Sequence, residues 1–139
     1  MSEEAGFSPG AVTPYASVRY EDADAAIEWL QAVLGFEAQE LVRDDDGNVV
    51  HAEVRLGDGL VMLSQAGVGR EPFSSLPAVA GITYIAIDDV DGLHERAAAA
   101  GGDIAVAPLD TDYGSRDFTV RDPAGHLWSF GTYRPVAGG

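Results

Sequence analysis

Two neighbouring polar residues are the strongest candidates for catalysis in this sequence. His51 and Glu53 are two residues apart, so on a β-strand their side chains share one face of the sheet. A nearby carboxylate favours the imidazolium or orients one tautomer, and such a pair could act as a general base or as two ligands of an atypical metal site. Arg55 follows two residues after Glu53 and shares the same face. An equally good interpretation is that the three side chains form an exposed cross-strand ladder of charges. Both interpretations stay open here.

The other two histidines are expected to have structural roles. His94 stands beside Glu95 and Arg96 on a predicted helix and should face solvent. His126 follows Gly125 on the helix side of its strand, which favours packing or a turn hydrogen bond over catalysis. The sequence contains no glycine-rich phosphate loop, no G-x-S-x-G elbow and no H-E-x-x-H motif.

Composition excludes several classes of function. With 139 residues the chain predicts a single domain, and without cysteine it has no disulfide, thiol nucleophile or thiolate metal site. A net charge of −15 argues against nucleic-acid partners. The same charge would favour cationic ligands, or it serves solubility or salt adaptation alone. No segment approaches the ~18 apolar residues of a membrane span, and the acidic N-terminus is unlike a signal peptide. We therefore expect no membrane partner and a cytoplasmic location.

An internal repeat organises the elements that must position these residues. Module one covers residues 12–66, a linker rich in Gly and Pro covers 67–80, and module two covers 81–134. Each module begins with a strand, and an aspartate, Asp22 or Asp89, then starts a helix. Three more strand candidates follow each helix, which predicts βαβββ twice.

The predicted strands of module one are 12–20, 36–43, 49–56 and 60–65, and those of module two are 82–87, 103–107, 117–121 and 127–133.

Two such modules side by side predict an α+β fold. The eight strands are expected to form one curved sheet, with the helices on its convex side and a ligand cavity on its concave side. Strand alternation predicts which side chains face that cavity. They are Tyr15, Ser17, Arg19, His51, Glu53, Arg55, Leu60, Met62, Ser64, Ile82, Tyr84, Ala86, Leu127, Ser129, Gly131 and Tyr133.

The last predicted hairpin carries a family resemblance. Its turn is the tetrad 122–125, Asp-Pro-Ala-Gly, in which Pro presets φ and Gly tolerates positive φ. Together with the duplication and the order of elements, this hairpin resembles the vicinal oxygen chelate superfamily, which includes glyoxalase I, extradiol dioxygenases and bleomycin-resistance proteins. The resemblance covers roughly residues 12–134.

The resemblance also implies where a metal would bind. In the metal enzymes of that superfamily four ligands, usually His, Glu, His and Glu, converge from the first, fourth, fifth and eighth strands. The matching positions here hold Tyr15, Met62, Tyr84 and Ser129. A neutral phenol, a thioether and a hydroxyl are poor ligands for a hard divalent ion. We therefore expect no metal and no cofactor.

Two further segments are predicted to contact a ligand. Tyr113 and Arg116 frame a Tyr-Gly-Ser-Arg segment that is similar to one at the cavity mouth of related metal-free proteins. There an arginine could stack on an aromatic ligand or clamp a carboxylate, or instead pair with Asp112 or Asp117. Phe73 in the linker could belong to a lid or a dimer contact. The predicted ligand-binding residues are Tyr15, Ser17, Arg55, Met62, Phe73, Tyr84, Tyr113, Arg116 and Ser129.

The resemblance favours the metal-free, antibiotic-binding branch. Its members sequester their ligand without chemical change and generally work as homodimers with shared clefts. A small-molecule binding protein with an aromatic or cationic ligand is therefore the expected function. The alternatives are a divergent metal-dependent lyase or dioxygenase, a cofactor-free isomerase using His51 and Glu53, and a family member without any small-molecule ligand.

Overall fold

The chain folds as two modules of four strands and one α-helix, each in the order βαβββ. The computed structural model describes residues 7–138. Its elements in chain order are β1 Ser17–Tyr20, α1 Ala23–Trp29, β2 Glu37–Arg43, β3 Val49–Leu56, β4 Gly59–Gln65, β5 Ile82–Ala86, α2 Val90–Ala99, β6 Asp103–Asp110, β7 Arg116–Arg121 and β8 Leu127–Gly131. A π-helical segment, Leu30–Leu34, continues α1, and a 3-10 turn, Phe73–Ser75, lies between the modules.

Each module forms its own open four-stranded sheet. The strand orders are β1-β4-β3-β2 and β5-β8-β7-β6, with β1/β4 and β5/β8 parallel and the other neighbours antiparallel. The predicted α+β fold of paired βαβββ modules is confirmed. Its eight strands are hydrogen-bonded as two sheets rather than as one continuous sheet.

Both helices begin where the sequence predicts. The carboxylate of Asp22 accepts a hydrogen bond from the amide of Ala25 at 3.0 Å, and that of Asp89 accepts one from Gly92 at 2.9 Å. Each bond satisfies an amide that has no partner within the helix. Gly35 ends the first helical segment with φ of 79°, a conformation that glycine adopts without strain.

The strands differ from prediction mainly at their ends. The first strand begins at Ser17 rather than at residue 12, since Pro14 has no amide hydrogen to give to a sheet. The last strand ends at Gly131 rather than at residue 133. Gly131 pairs with Ala86, which is the last residue of the neighbouring strand β5. The sixth strand continues to Asp110, as an edge strand tolerates the proline at position 108.

One apolar core joins the two modules. Its buried members include Val18, Leu30, Leu34, Val54, Leu63, Phe118, Val120, Trp128 and Phe130. The ring of Phe36 packs against that of Trp128 with the centroids 5.9 Å apart, which is a contact between modules. Among residues 7–138, no helix is long and apolar enough to cross a membrane.

A buried carboxylate also connects the modules. Asp122, 3% exposed, accepts hydrogen bonds from the phenol of Tyr20 at 2.6 Å and the indole of Trp128 at 3.0 Å. Its other oxygen accepts the amides of Ala124 and His126 at 3.0 and 2.9 Å. The turn aspartate thus holds the first strand of module one against the last hairpin of module two.

Candidate functional site

The concave face of each sheet carries the polar side chains. On β3, Ala52 and Val54 are buried while His51 and Glu53 are half-buried on the opposite face. On β8, Trp128 and Phe130 are buried and Ser129 is half-buried. The structure therefore places the strand faces as alternation predicts. The helices cover one face of each sheet and leave the other uncovered.

The register of the strands corrects one predicted position. Tyr84 pairs with Ser129, and in module one the corresponding pair is Ser17 with Met62. Ser17 precedes the helix cap Asp22 by as many residues as Tyr84 precedes Asp89. Ser17, and not Tyr15, thus occupies the position on the first strand that matches Tyr84. Tyr15 lies before the strand begins.

The four matching positions consequently hold Ser17, Met62, Tyr84 and Ser129. None of these side chains is a carboxylate or an imidazole, so the set does not fit a hard divalent ion. Ser129 is also engaged by a neutral group, since the hydroxyl of Thr119 donates to its hydroxyl at 3.1 Å. Within residues 7–138 no three His, Cys, Asp or Glu side chains are placed to hold a metal ion.

A cavity of about 570 Å³ brings together three of the predicted ligand-binding residues. Tyr15, Arg55 and Tyr84 all line it. The first comes from the segment before β1, the second from β3 and the third from β5, so both modules contribute. The remaining wall includes Phe36, Leu56, Leu60, Val61 and Ile85. Arg55 is held by the carboxylate of Glu37 at 2.6 Å, a surface ion pair. This volume suits a small organic molecule.

The pair of His51 and Glu53 is formed as predicted. The Nε2 atom of His51 lies 3.0 Å from a carboxylate oxygen of Glu53, and the amide of Gln39 donates to the other oxygen at 3.0 Å. These hydrogen bonds, first that of His51 and then that of Gln39, hold the pKa of Glu53 below its ordinary value. The pair lies on the concave face of the first sheet, and Met62 is the neighbour of Glu53 on β4. The lining of the cavity does not include it.

The concave face of the second sheet contains an aromatic corner. The hydroxyl of Tyr84 donates to the carbonyl of Tyr133 at 2.6 Å, and the ring of Tyr133 meets that of Tyr113 edge to face at 5.6 Å. A Cβ on Gly131 would overlap a carboxylate oxygen of Asp117 and would stand 2.6 Å from the Tyr84 hydroxyl. The missing side chain at Gly131 therefore makes room for this corner. Desolvation, the largest cause, raises the pKa of Tyr84, and the charge of Asp117 adds to the increase.

Three predicted ligand or cavity residues are bound elsewhere. Arg116 pairs with Asp91 at 3.0 Å and Asp110 at 3.1 Å, rather than with the predicted Asp112 or Asp117. The guanidinium of Arg19 donates to the hydroxyl of Ser64 and to the carbonyls of Gln65 and Val68. Phe73 lies in the linker under the guanidinium of Arg70, 5.9 Å from its ring centroid. Phe73 and Arg116 do not line the cavity that contains Tyr84.

The remaining two histidines are structural in different ways. His126 is 6% exposed; its Nδ1 accepts the amide of Gly81 at 3.1 Å, and Nε2 lies 2.8 Å from the hydroxyl of Thr83. Burial lowers the pKa of His126, so the predicted turn and packing role agrees with its surroundings. His94 was expected to face solvent, but it is half-buried and meets the ring of Phe118 edge to face at 5.5 Å.

Sequence reasoning missed the place of Asp117 in the aromatic corner and the contacts that Tyr133 makes there. The sequence suggested Asp117 only as a possible surface partner of Arg116. Asp117 and Thr119 are two residues apart on β7, so their side chains share the concave face, and this spacing could have identified Asp117. Tyr133 was assigned to the cavity as part of a strand, whereas it lies beyond the end of β8. Its contact with Tyr113 depends on two loops that no local pattern relates.

These features define a duplicated βαβββ protein with concave sheet faces and a cavity between its modules. Residues 13–130 match the family described as Glyoxalase/Bleomycin resistance protein/Dioxygenase superfamily, and the chain belongs to this family. The predicted resemblance to the vicinal oxygen chelate superfamily is thus confirmed.

Relatives and solved structures agree with this membership. An uncharacterized protein of Mycobacterium bovis is 34% identical over 129 residues, covering 87% of this chain and 82% of the relative. The crystal structure of TioX from Micromonospora sp. ML1 is similar with a TM-score of 0.75 and 30% identity, over 88% of this chain and all of that one. A family member from Nocardioides shares the fold, with a TM-score of 0.67 and 19% identity over 96% and 89% of the two chains.

Proposed function

We propose that the protein is a metal-independent small-molecule binding protein that sequesters a hydrophobic or aromatic compound such as an antibiotic. The observation that carries this proposal is the cavity of about 570 Å³ with Tyr15 and Tyr84 in its wall. A flat ring placed against a tyrosine gains about 0.5–1.5 kcal/mol beyond the burial of its area. Bleomycin resistance proteins are part of the family's own description.

Metal independence is proposed from the chemistry of the donor positions. Ser17, Met62, Tyr84 and Ser129 offer no negative charge to offset the dehydration of a divalent ion. Elemental analysis of protein purified without an affinity tag is expected to show well under one equivalent of Ni, Zn, Fe or Mn. One equivalent of metal that is lost in His51→Ala together with an activity would instead establish the metal-dependent alternative.

A homodimer with shared clefts, in the cytoplasm, completes the proposal. Ile82 is 71% exposed on the outer strand of the second sheet, next to Tyr84, and an apolar strand edge needs covering. Sedimentation at micromolar concentration should give about twice 14.6 kDa. A monomer at that concentration would restrict the site to the cavity within one chain.

The binding function is tested with a panel of aromatic compounds, including bleomycin. Binding is followed by tyrosine fluorescence and calorimetry, and mass spectrometry shows whether a bound compound is recovered unchanged. Tyr84→Ala is expected to weaken binding by about 1–3 kcal/mol, through lost stacking and burial. Phe73→Ala is the matched control, since Phe73 is also an exposed aromatic residue but lies in the linker. An effect of Phe73→Ala alone would move the site to the linker, and unchanged binding in Tyr84→Ala would contradict the assignment to the cavity.

The pair of His51 and Glu53 supports one second candidate, a cofactor-free isomerase. The hydrogen bond of 3.0 Å and the support from Gln39 orient the imidazole toward general-base chemistry. A panel compound that is recovered as an isomer would favour this function. Its formation should then stop in His51→Ala, whereas sequestration should persist in the same variant.

A further inference from the structure

The carboxylate of Asp117 has an unusual electrostatic position on the concave face of the second sheet. It is half-buried and accepts a hydrogen bond from the hydroxyl of Ser115, which is itself 2% exposed. Among the described residues no arginine or histidine lies within salt-bridge distance of it. The two arginines of the same strand, Arg116 and Arg121, are paired with other aspartates instead. Because this carboxylate has no counter-charge in the described part of the chain, it would attract a cation from outside the chain.

Tyr84 lies beside this carboxylate, and two further tyrosines are connected to Tyr84 through successive contacts. The hydroxyl of Tyr84 and an oxygen of Asp117 both lie over Gly131, within 2.6 Å of the place that a Cβ would take. The carbonyl of Tyr133 accepts the hydrogen bond of Tyr84, and the ring of Tyr133 contacts that of Tyr113 edge to face. Tyr113 and Tyr133 are 65% and 50% exposed, so their rings are accessible to a ligand. Aromatic faces attract cations whose hydration is weak.

We propose that the corner formed by Tyr84, Tyr113, Tyr133 and Asp117 binds an organic cation, of the alkylated ammonium class. A metal ion does not suit it, because one carboxylate and neutral phenols cannot replace a hard cation's hydration shell. An alkylated ammonium is weakly hydrated and needs only the rings and one counter-charge. The net charge of −15 attracts such a ligand toward the protein at low salt. The inference rests on the proposed binding function, since Tyr84 borders both the corner and the cavity.

The test compares choline with its neutral isostere, 3,3-dimethylbutan-1-ol, in titrations followed by the tyrosine ring signals in NMR spectra. Choline is expected to bind at least tenfold more tightly than the isostere at low ionic strength, and its advantage should fall as salt is added. Asp117→Asn keeps an oxygen that accepts from Ser115 but removes the charge. We expect it to reduce the preference for choline to less than twofold.

Two further variants keep the result interpretable. Asp45→Asn removes the same charge from the exposed β2–β3 turn of module one and should leave the preference unchanged. Tyr113→Leu removes one ring whose side chain is largely exposed, and should weaken choline binding several-fold while the fold is retained. Equal binding of choline and the isostere would overturn the proposal, as would equal effects of Asp117→Asn and Asp45→Asn.

Failure of this inference is distinguishable from failure of the binding function. If the corner is not a cation site, neutral aromatic compounds should still bind, and Tyr84→Ala should still weaken them. If the protein has no small-molecule function, neither choline nor any aromatic compound should show saturable binding that depends on Tyr84.

Discussion

Replacing Asp122 by alanine is expected to destabilise the whole molecule, because one carboxylate serves both modules. The substitution removes the acceptor for four donors. Ala124 is exposed, so water should partly offset the loss at its amide, whereas the amide of His126 is buried and its loss adds to the cost. Tyr20 and Trp128 are 3% and 0% exposed, so water should replace Asp122 as their acceptor only poorly.

The magnitude follows from those two buried donors. Each polar group left unsatisfied in the interior costs about 1–3 kcal/mol. For the phenol and the indole together we expect a loss of about 2–6 kcal/mol in the free energy of unfolding. Since a domain of this kind is stable by only about 5–15 kcal/mol, the variant should be close to unfolding at 37 °C.

Urea denaturation followed by far-ultraviolet circular dichroism and tryptophan fluorescence measures this loss. Tyr20→Phe removes the phenol hydroxyl itself, so no donor is left unpaired. We expect this variant to lower the free energy of unfolding by about 1.5–3 kcal/mol, because the lost hydrogen bond is to a charged group. The double variant should cost less than the sum of the two single variants, because both remove the same bond.

Asp88→Ala removes a carboxylate that is 97% exposed, and should change stability by less than about 0.5 kcal/mol. A loss below about 1 kcal/mol in Asp122→Ala, or strict additivity with Tyr20→Phe, would refute the coupling of the modules through this carboxylate.

Two predictions concern pH. Burial first, and then the hydrogen bond to Asp122, raise the pKa of Tyr20 well above its ordinary 10.0, so only the unfolded chain releases that proton near pH 10. The contribution of Tyr20 to the free energy of unfolding is therefore fully present below pH 10, and above it that free energy should fall by up to about 1.4 kcal/mol per pH unit. Urea midpoints between pH 9 and 11.5 measure this slope, which should be smaller in Tyr20→Phe. Burial lowers the pKa of His126 below 6.5, so the unfolded chain takes up a proton that the folded chain resists, and stability should fall as pH drops below 6.5. Thermal melts at pH 7 and pH 5 should show a smaller difference in His126→Asn, and a wild-type imidazole that titrates at 6.5 or above in NMR spectra would contradict this prediction.

Local rules predicted much of the fold. The caps Asp22 and Asp89, the glycine at 35 and the alternation on β3 and β8 each depend on residues close in sequence. The register of the first strand was less accessible, because an edge strand of four residues has few apolar positions to fix it. Sequence spacing from the helix cap would have identified Ser17 as the match of Tyr84.

Contacts between distant segments could not be predicted. The partners of Arg116 come from the start of α2 and the end of β6, and a sequence rich in aspartate offers many equivalent choices. Tyr20 and Asp122 are 102 residues apart. Because aspartate is common in turns, the presence of Asp122 in its turn gave no sign of a second partner. The aromatic corner likewise requires Gly131, whose role is visible only once Tyr84 is seen lying across it.

The correspondence between the modules has a consequence for how this chain could evolve. Ser17 and Met62 stand where Tyr84 and Ser129 stand in the other copy, so the duplicated backbone has been kept while the side chains have diverged. One copy now presents an imidazole beside a carboxylate, and the other presents tyrosines beside a lone carboxylate. Selection on one copy's open face leaves the buried contacts at Asp122 untouched. Such a chain can acquire a new ligand through one half while the other half retains its older chemistry.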